Sequence, residues 1–264
     1  MREWHELTQD SKSRWEQNAD HWDEYMGDES NRFHRELIRP YTEKLLNAEE
    51  GQVILDIACG NGNFSRRLAQ LGANVVAFDY SAKMVERAKN RSEHYLKQID
   101  YRVVDATNLN QLLELGIEKY DSAVANMALM DSADISPLIQ SLHKLLKPSG
   151  SFVFSITHPC FQPPGVRKIN EEEDVNGVLV SKNSIQITKY LTPEPYQAIG
   201  IKGQTIPHYM FHRPISYYTS LFFEAGFVLD AVEEPSFQKE NDQQKFDWYD
   251  IPPVMIFRFR KLTC

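Results

Sequence analysis

The stretch Val53-Ile54-Leu55-Asp56-Ile57-Ala58-Cys59-Gly60-Asn61-Gly62-Asn63-Phe64 decides the fold. Val53 to Ile57 is a short aliphatic run, as expected of a strand buried on both faces. Gly60 and Gly62 break it. From Phe64 the spacing turns helical, with Phe64, Leu68 and Leu71 on one face and Arg66 and Arg67 on the other. A strand, a glycine turn and a helix in that order suit a nucleotide-cofactor loop. Glycine lets the backbone approach a ligand where a Cβ would clash, and a helix N-terminus offers unpaired N–H groups.

A second apolar strand, Asn74-Val75-Val76-Ala77-Phe78-Asp79, ends in an acid. A carboxylate at such a tip can accept two hydrogen bonds from ribose hydroxyls. Gly62 to Asp79 is close to the roughly 20-residue spacing of a dinucleotide fold. NAD(P) and S-adenosylmethionine both fit, and two residues favour the second. Ser65 replaces the third glycine of G-x-G-x-x-G, so tight packing on a pyrophosphate is not supported. Asp56, just before the turn, would repel a pyrophosphate but could receive a cationic amino group, directly or through water.

Asp56-x-Ala58-Cys59-Gly60-x-Gly62, followed by Phe78-Asp79-Tyr80-Ser81-x-x-Met84, resembles the class I S-adenosylmethionine-dependent methyltransferase family. Val103-Val104-Asp105-Ala106 and Leu145-Leu146-Lys147-Pro148-Ser149-Gly150-Ser151-Phe152 extend the resemblance over residues 50–158. It implies a Rossmann-like, seven-stranded, mostly parallel sheet with helices on both faces and an antiparallel last strand. It implies S-adenosylmethionine as cofactor, with S-adenosylhomocysteine as product. Cofactor-binding residues would be Asp56, Ala58, Gly60, Asn61, Gly62, Asp79, Tyr80, Met84, Asp105, Ala106, Asn126 and Met127. Asp79 would hold the ribose, Met84 would pack on adenine, and Asp105 would accept from the adenine amino group while the Ala106 N–H answers a ring nitrogen. Asn126 and Met127 would line the sulfonium pocket.

The 264-residue chain is long enough for a sizeable core, and a net charge of −8 argues against a large nucleic-acid surface. Three cysteines, Cys59, Cys160 and Cys264, make no disulfide framework, which suits a reducing cytoplasm. No apolar run approaches the ~20 residues of a membrane helix, and the polar N-terminus is unlike a signal peptide. The expected partner is a small-molecule acceptor rather than a nucleic acid or a membrane, for a monomer or homodimer.

The chain reads as a single domain in four parts. In residues 1–50, Trp15, Ala19 and Trp22 recur at helical spacing, and Phe33, Leu37, Tyr41 and Leu45 suggest a second helix interrupted near Pro40. The Trp15/Ala19/Trp22 pattern is similar to the family's N-terminal helix, which closes as a lid over the donor and would place Trp22 beside it. Residues 51–158 alternate strands near 53–57, 75–79, 101–104, 121–126 and 151–157 with helices near 64–71, 81–92, 109–115 and 135–146, which implies a parallel sheet. Asp56, Asp79, Asp105 and Asn126 fall at strand ends, where such sheets bind ligands. Residues 159–214 read as a substrate-cap insertion, with an acidic loop at 171–174, a β-like run from Ser184 to Leu191 and a polar turn around Pro193 and Pro195. Residues 215–264 read as a helix from Ile215 to Ala225 and two late strands separated by a loop over 235–253.

Methyl transfer from a sulfonium needs alignment and exclusion of water more than covalent help. Where a base is needed, His158, just past the fifth strand, is the first candidate and His21 in the lid the second. His34, His208 and His212 follow, and their spacing does not suggest a metal site. Asp131 reads equally as a helix cap or a functional group. The Asn126-Met127-Ala128-Leu129 stretch lacks the Asn/Asp-Pro-Pro-aromatic motif of amide and exocyclic-amine methylases. With the cap aromatics Phe161, Tyr190, Tyr196, Tyr209, Phe211 and Tyr217, this favours a small, partly apolar acceptor with an O, N or C nucleophile. A cofactor-binding scaffold or sensor and an NAD(P)-dependent oxidoreductase are the alternatives.

Overall fold

The computed structural model describes residues 4–238 and 248–262. Cys264 and part of the 235–253 loop therefore lie outside the described residues. The chain opens with a 19-residue helix, α1 (Thr8–Met26), then a π-helical turn (His34–Ile38) that runs into α2 (Arg39–Leu46). Pro40 sits in the first turn of α2, where its missing N–H costs little. The interruption read at Pro40 is thus a change of helical pitch.

The core then alternates β1 (Val53–Ile57), α3 (Asn63–Gln70), β2 (Asn74–Asp79), α4 (Ala82–Arg91), β3 (Ile99–Val103), α5 (Leu109–Leu113), β4 (Tyr120–Asn126), α6 (Ser136–Leu145) and β5 (Leu146–Thr157). After the insertion come α7 (Ile215–Glu224), β10 (Phe227–Glu233) and β11 (Val254–Lys261). Among the described residues seven strands form one sheet, in the order β10-β11-β5-β4-β1-β2-β3. Strands β1 to β5 run parallel, and β11 is antiparallel to both β5 and β10. This is the Rossmann-like arrangement expected.

Alternate residues of each strand feed opposite cores. Leu55, Ile57, Phe78, Ala125 and Phe154 pack under α5, α6 and α7. Ile54, Val75, Ala77, Val124 and Val153 pack under α2, α3 and α4. On the first face an aromatic stack locks the antiparallel edge. Phe222 of α7 lies 4.1 Å from Phe259 and 5.4 Å from Phe154, nearly parallel to both.

The insertion carries two ribbons. β6 (Arg167–Val175) and β7 (Val178–Gln186) pair antiparallel through Asn176-Gly177, both with positive φ, as a two-residue hairpin turn requires. β8 (Glu194–Ala198) pairs with β9 (His208–His212). Two expectations need correction. The acidic stretch 171–174 is not a loop but the solvent-facing body of β6, because a hairpin needs no buried face when its backbone pairs locally. Pro195 lies within β8, an edge strand, where a missing N–H is tolerated.

Replacing Phe222 by Ala should cost about 3–5 kcal/mol, since it empties a fully buried ring site. Urea unfolding, with a lowered midpoint at unchanged slope, checks this.

Candidate functional site

The cleft lies beyond the carboxyl ends of β1 to β4, and α1 covers it. It measures about 1450 Å³ with its open mouth included. Its floor is the chain from Asp56 to Asn61 and its sides carry Asp79, Tyr80, Asp105, Asn126 and Met127. Ala58 and Met127, each just past the end of its strand, hold the left-handed conformation at φ 53°. In neighbouring strands, these two sharp exits turn both chains away and open the gap between them.

Asp79 ties the floor together. Its Oδ2 accepts the Gly60 N–H at 3.1 Å and its Oδ1 the Ser81 N–H at 2.9 Å. Each oxygen retains a lone pair. Burial pushes its pKa up to about 6 against these two bonds. Asp56 is also buried, and its Oδ2 accepts from the Ser65 hydroxyl at 2.5 Å. Burial raises its pKa to about 7, opposed by the Ser65 bond and aided by the nearby Asp79 charge. Ser65, where a dinucleotide loop has glycine, thus serves as the partner of Asp56. Gly62 does not line the cleft. A Cβ there would sit 2.3 Å from the hydroxyl of Tyr101 on β3, and φ is +76°, so close packing and backbone conformation both call for glycine.

Helix α1 closes the cleft by ion pairs and hydrogen bonds on both sides. Lys12 pairs with Asp105, whose other oxygen accepts from the Thr107 N–H and hydroxyl. Burial would raise the Asp105 pKa, but these partners hold it below the usual carboxylate range. Asp23 bonds Arg91 at 2.5 Å and the Asn61 amide at 3.0 Å. Asn61 also donates to the Gly27 carbonyl, so it fastens the glycine loop to the end of α1. Toward the insertion, Arg14 donates to the Pro207 carbonyl and Asn18 to that of Ile206. At the fourth strand end, Asn126 Oδ1 accepts from the Thr42 and Ser155 hydroxyls, which assigns the amide N to the opposite side.

A family model described as a methyltransferase domain matches residues 48–213. The chain belongs to the class I S-adenosylmethionine-dependent methyltransferase family. The mitochondrial ubiquinone biosynthesis O-methyltransferase of Rattus norvegicus is 30% identical over 197 residues, which are 70% of this chain and 55% of that protein. Its Bos taurus counterpart is 28% identical over 70% of this chain and 52% of its own length. The chain thus spans about half the length of the curated relatives it matches. An S-adenosylmethionine-dependent methyltransferase from Mesorhizobium loti superposes with a TM-score of 0.67 at 25% identity, covering 84% of this chain and 96% of that one.

In this member of the family the cleft wall contains Asp56, Ala58, Gly60, Asn61, Asp79, Tyr80, Met84, Asp105, Ala106, Asn126, Met127 and Trp22. It does not contain His158 or His21. His158 is 2% exposed, its Nε2 lies 2.8 Å from Glu234, its Nδ1 accepts the Cys160 N–H, and its ring packs on Phe161. Both nitrogens are committed to the turn after β5, so the expectation of a base there is corrected. His21 faces the Lys202 carbonyl at 3.2 Å, outside the cleft, because the Trp15/Trp22 face of α1 points the other way. Nor do the aromatics of the insertion line the cleft. Phe211 is buried against Trp4, and Tyr196 lies against Met210. Sequence reasoning overlooked Lys12, whose charge looks solvated on an amphipathic helix, and Thr42 and Ser155, whose hydroxyls carry no motif.

A buried carboxylate with a raised pKa holds its proton in the folded state over a range where the unfolded chain has lost it. Through Asp56 and Asp79, stability therefore falls as pH rises from about 4 to 7. Without ligand, the urea midpoint should decline from pH 5 to 7.5, and Asp56→Asn should flatten that decline.

Proposed function

We propose that the chain methylates a hydroxyl oxygen of a small, partly apolar acceptor, using S-adenosylmethionine. The observation that carries the donor assignment is the Asp79 carboxylate, buried at the cleft floor and held by a backbone N–H on each oxygen, in a cleft whose other walls fit the donor's remaining parts. Asp79 would take the ribose hydroxyls. Met84 and the Ala106 amide would meet the adenine, with Asp105 released from Lys12 or shared with it. Asp56 lies where an ammonium group would relieve a buried acid. Gly60, Asn61, Ala58 and Tyr80 would shape this half of the site, with Asn126, Met127 and Trp22 beside the reacting methyl.

The donor supplies a methyl carbon already activated by the positive sulfur. The chain's own part is to align it and keep water out. Lys12, Asp23, Arg14 and Asn18 hold α1 across the cleft for that purpose, so we assign residues 1–50 as a lid and 159–214 as the cap that completes the acceptor side. The hydroxyl preference is supported by the relatives, whose names specify O-methylation in ubiquinone biosynthesis. We place the reaction in the cytoplasm, which suits the free thiols Cys59 and Cys160. Among the described residues no helix is long and apolar enough to cross a membrane.

Labelled S-adenosylmethionine offered with a panel of phenols, catechols and carboxylic acids should yield labelled ether or ester. Label appearing only in RNA or protein would overturn the reading. Asp79→Ala should weaken S-adenosylhomocysteine binding by about 10–100-fold, the worth of one or two charge-assisted hydrogen bonds, with the fold intact by circular dichroism. Calorimetric affinity for the same ligand should rise with pH between about 5 and 7, because Asp56 and Asp79 must ionise to bind it.

A further inference from the structure

Three polar atoms on the cleft wall have no hydrogen-bond partner among the described residues: the Trp15 indole N–H, the Tyr80 hydroxyl and Asp131 Oδ1. Buried polar groups are normally paired, so three orphans around one cavity mark a place where a ligand completes the bonding. The carboxylate is the most costly of them, since nothing but burial acts on it and that burial pushes its pKa well above the usual range. The acids assigned to the donor, Asp56, Asp79 and Asp105, follow β1, β2 and β3. Asp131 instead ends a 3₁₀ turn (Leu129–Asp131) after β4, on the side of the insertion.

The turn is held firmly. Arg213, 1% exposed, donates to the carbonyls of Leu129, Ser132 and Ala133, gripping the backbone on both sides of Asp131. The Ser11 hydroxyl of α1 bonds the carbonyl of Asp131 itself. Asp131 is not a helix cap. The helix that follows begins at Ser136, whose N–H is accepted by Asp134 instead.

Behind the carboxylate stands His208, buried on β9. The Gln204 amide fixes its tautomer. Gln204 Oε1 accepts the Gly200 N–H, so its Nε2 is the donor, to the Ile206 carbonyl and to His208 Nδ1 at 3.0 Å. The ring proton is therefore on Nε2, which lies 3.9 Å from Asp131 Oδ1. Trp15 packs on the imidazole, with ring centres 4.7 Å apart. Burial keeps His208 neutral, its pKa lowered to about 4.

We propose that Asp131, positioned by His208, binds the acceptor's hydroxyl and takes its proton. This rests on the hydroxyl-methylation reading. The acceptor oxygen forms the new O–C bond as the C–S bond breaks and its electron pair stays on sulfur. The hydroxyl proton passes to the Asp131 carboxylate, so one positive and one negative charge disappear together. His208 stays neutral and donates toward the carboxylate throughout. The Trp15 N–H, on the ring that packs against His208, orients the acceptor's polar end.

The charged and titratable groups that face Asp131 are His208 on β9, Tyr196 on β8, Tyr80 after β2 and Arg213 behind the turn, with the Lys12–Asp105 pair across the cleft. Burial holds both tyrosines protonated and His208 neutral through the neutral range. With donor saturating, the rising limb of kcat against pH then belongs to Asp131. Asp131→Asn should lower kcat at least 100-fold, abolish that limb and leave the affinity for S-adenosylhomocysteine within twofold. It should also unfold no earlier than the wild type at pH 8, because it replaces an unpaired buried charge. His208→Gln should shift the limb while retaining much of the turnover at its new plateau. Full turnover in Asp131→Asn overturns the role of Asp131, as does a loss of S-adenosylhomocysteine affinity or of thermal stability matching the loss of rate. A wild type that methylates no hydroxyl acceptor overturns the functional reading instead.

Discussion

The carboxylate of Asp79 is the constraint on which the cleft depends. It is buried, yet it links the loop after β1 to the loop after β2 through one backbone N–H from each. A charge so placed survives only where donors compensate its lost hydration. Two amides do so in part and leave the remaining capacity facing a ligand. Asp56 adds a second buried acid nearby, with only Ser65 to oppose its desolvation. The floor of the cleft is thus short of positive charge, which favours a cationic guest over a pyrophosphate.

Helix α1 is the counterpart of that floor. It owes little to its own propensity or capping, since its first residue has no side-chain cap. Polar contacts hold it: Lys12 to Asp105, Asp23 to Arg91 and Asn61, Arg14 and Asn18 to the chain before β9. Its other face is apolar: Ala19 is fully buried, and Trp15 packs on Trp22 and His208.

Much of this architecture was legible in the sequence because it rests on local periodicity. The runs 53–57 and 74–79, the glycines between them and the acids at their tips are local patterns with a direct structural meaning, and β1 to β5 appear where the alternation puts them. The surroundings of the histidines did not follow from position. His158 stands at a strand end like Asp79, but a glutamate 76 residues later claims its ring. His208 carries no motif, and only the pairing of β8 with β9 brings it behind Asp131. Gly62 shows a different limit: its place in a motif reads as ligand approach, whereas its tight neighbour is Tyr101. Long-range partners decide these cases, and sequence spacing does not encode them.

The β6–β7 ribbon stands apart from this economy of contacts. Nearly all of its side chains face solvent, and its pairing is satisfied within itself. Its hydrogen bonds can open without disturbing the seven-stranded sheet, so it is a separate cooperative unit of low stability. The chain thus carries a segment whose length and composition can change with little penalty to the seven-stranded sheet. Such a segment is raw material for new surface recognition.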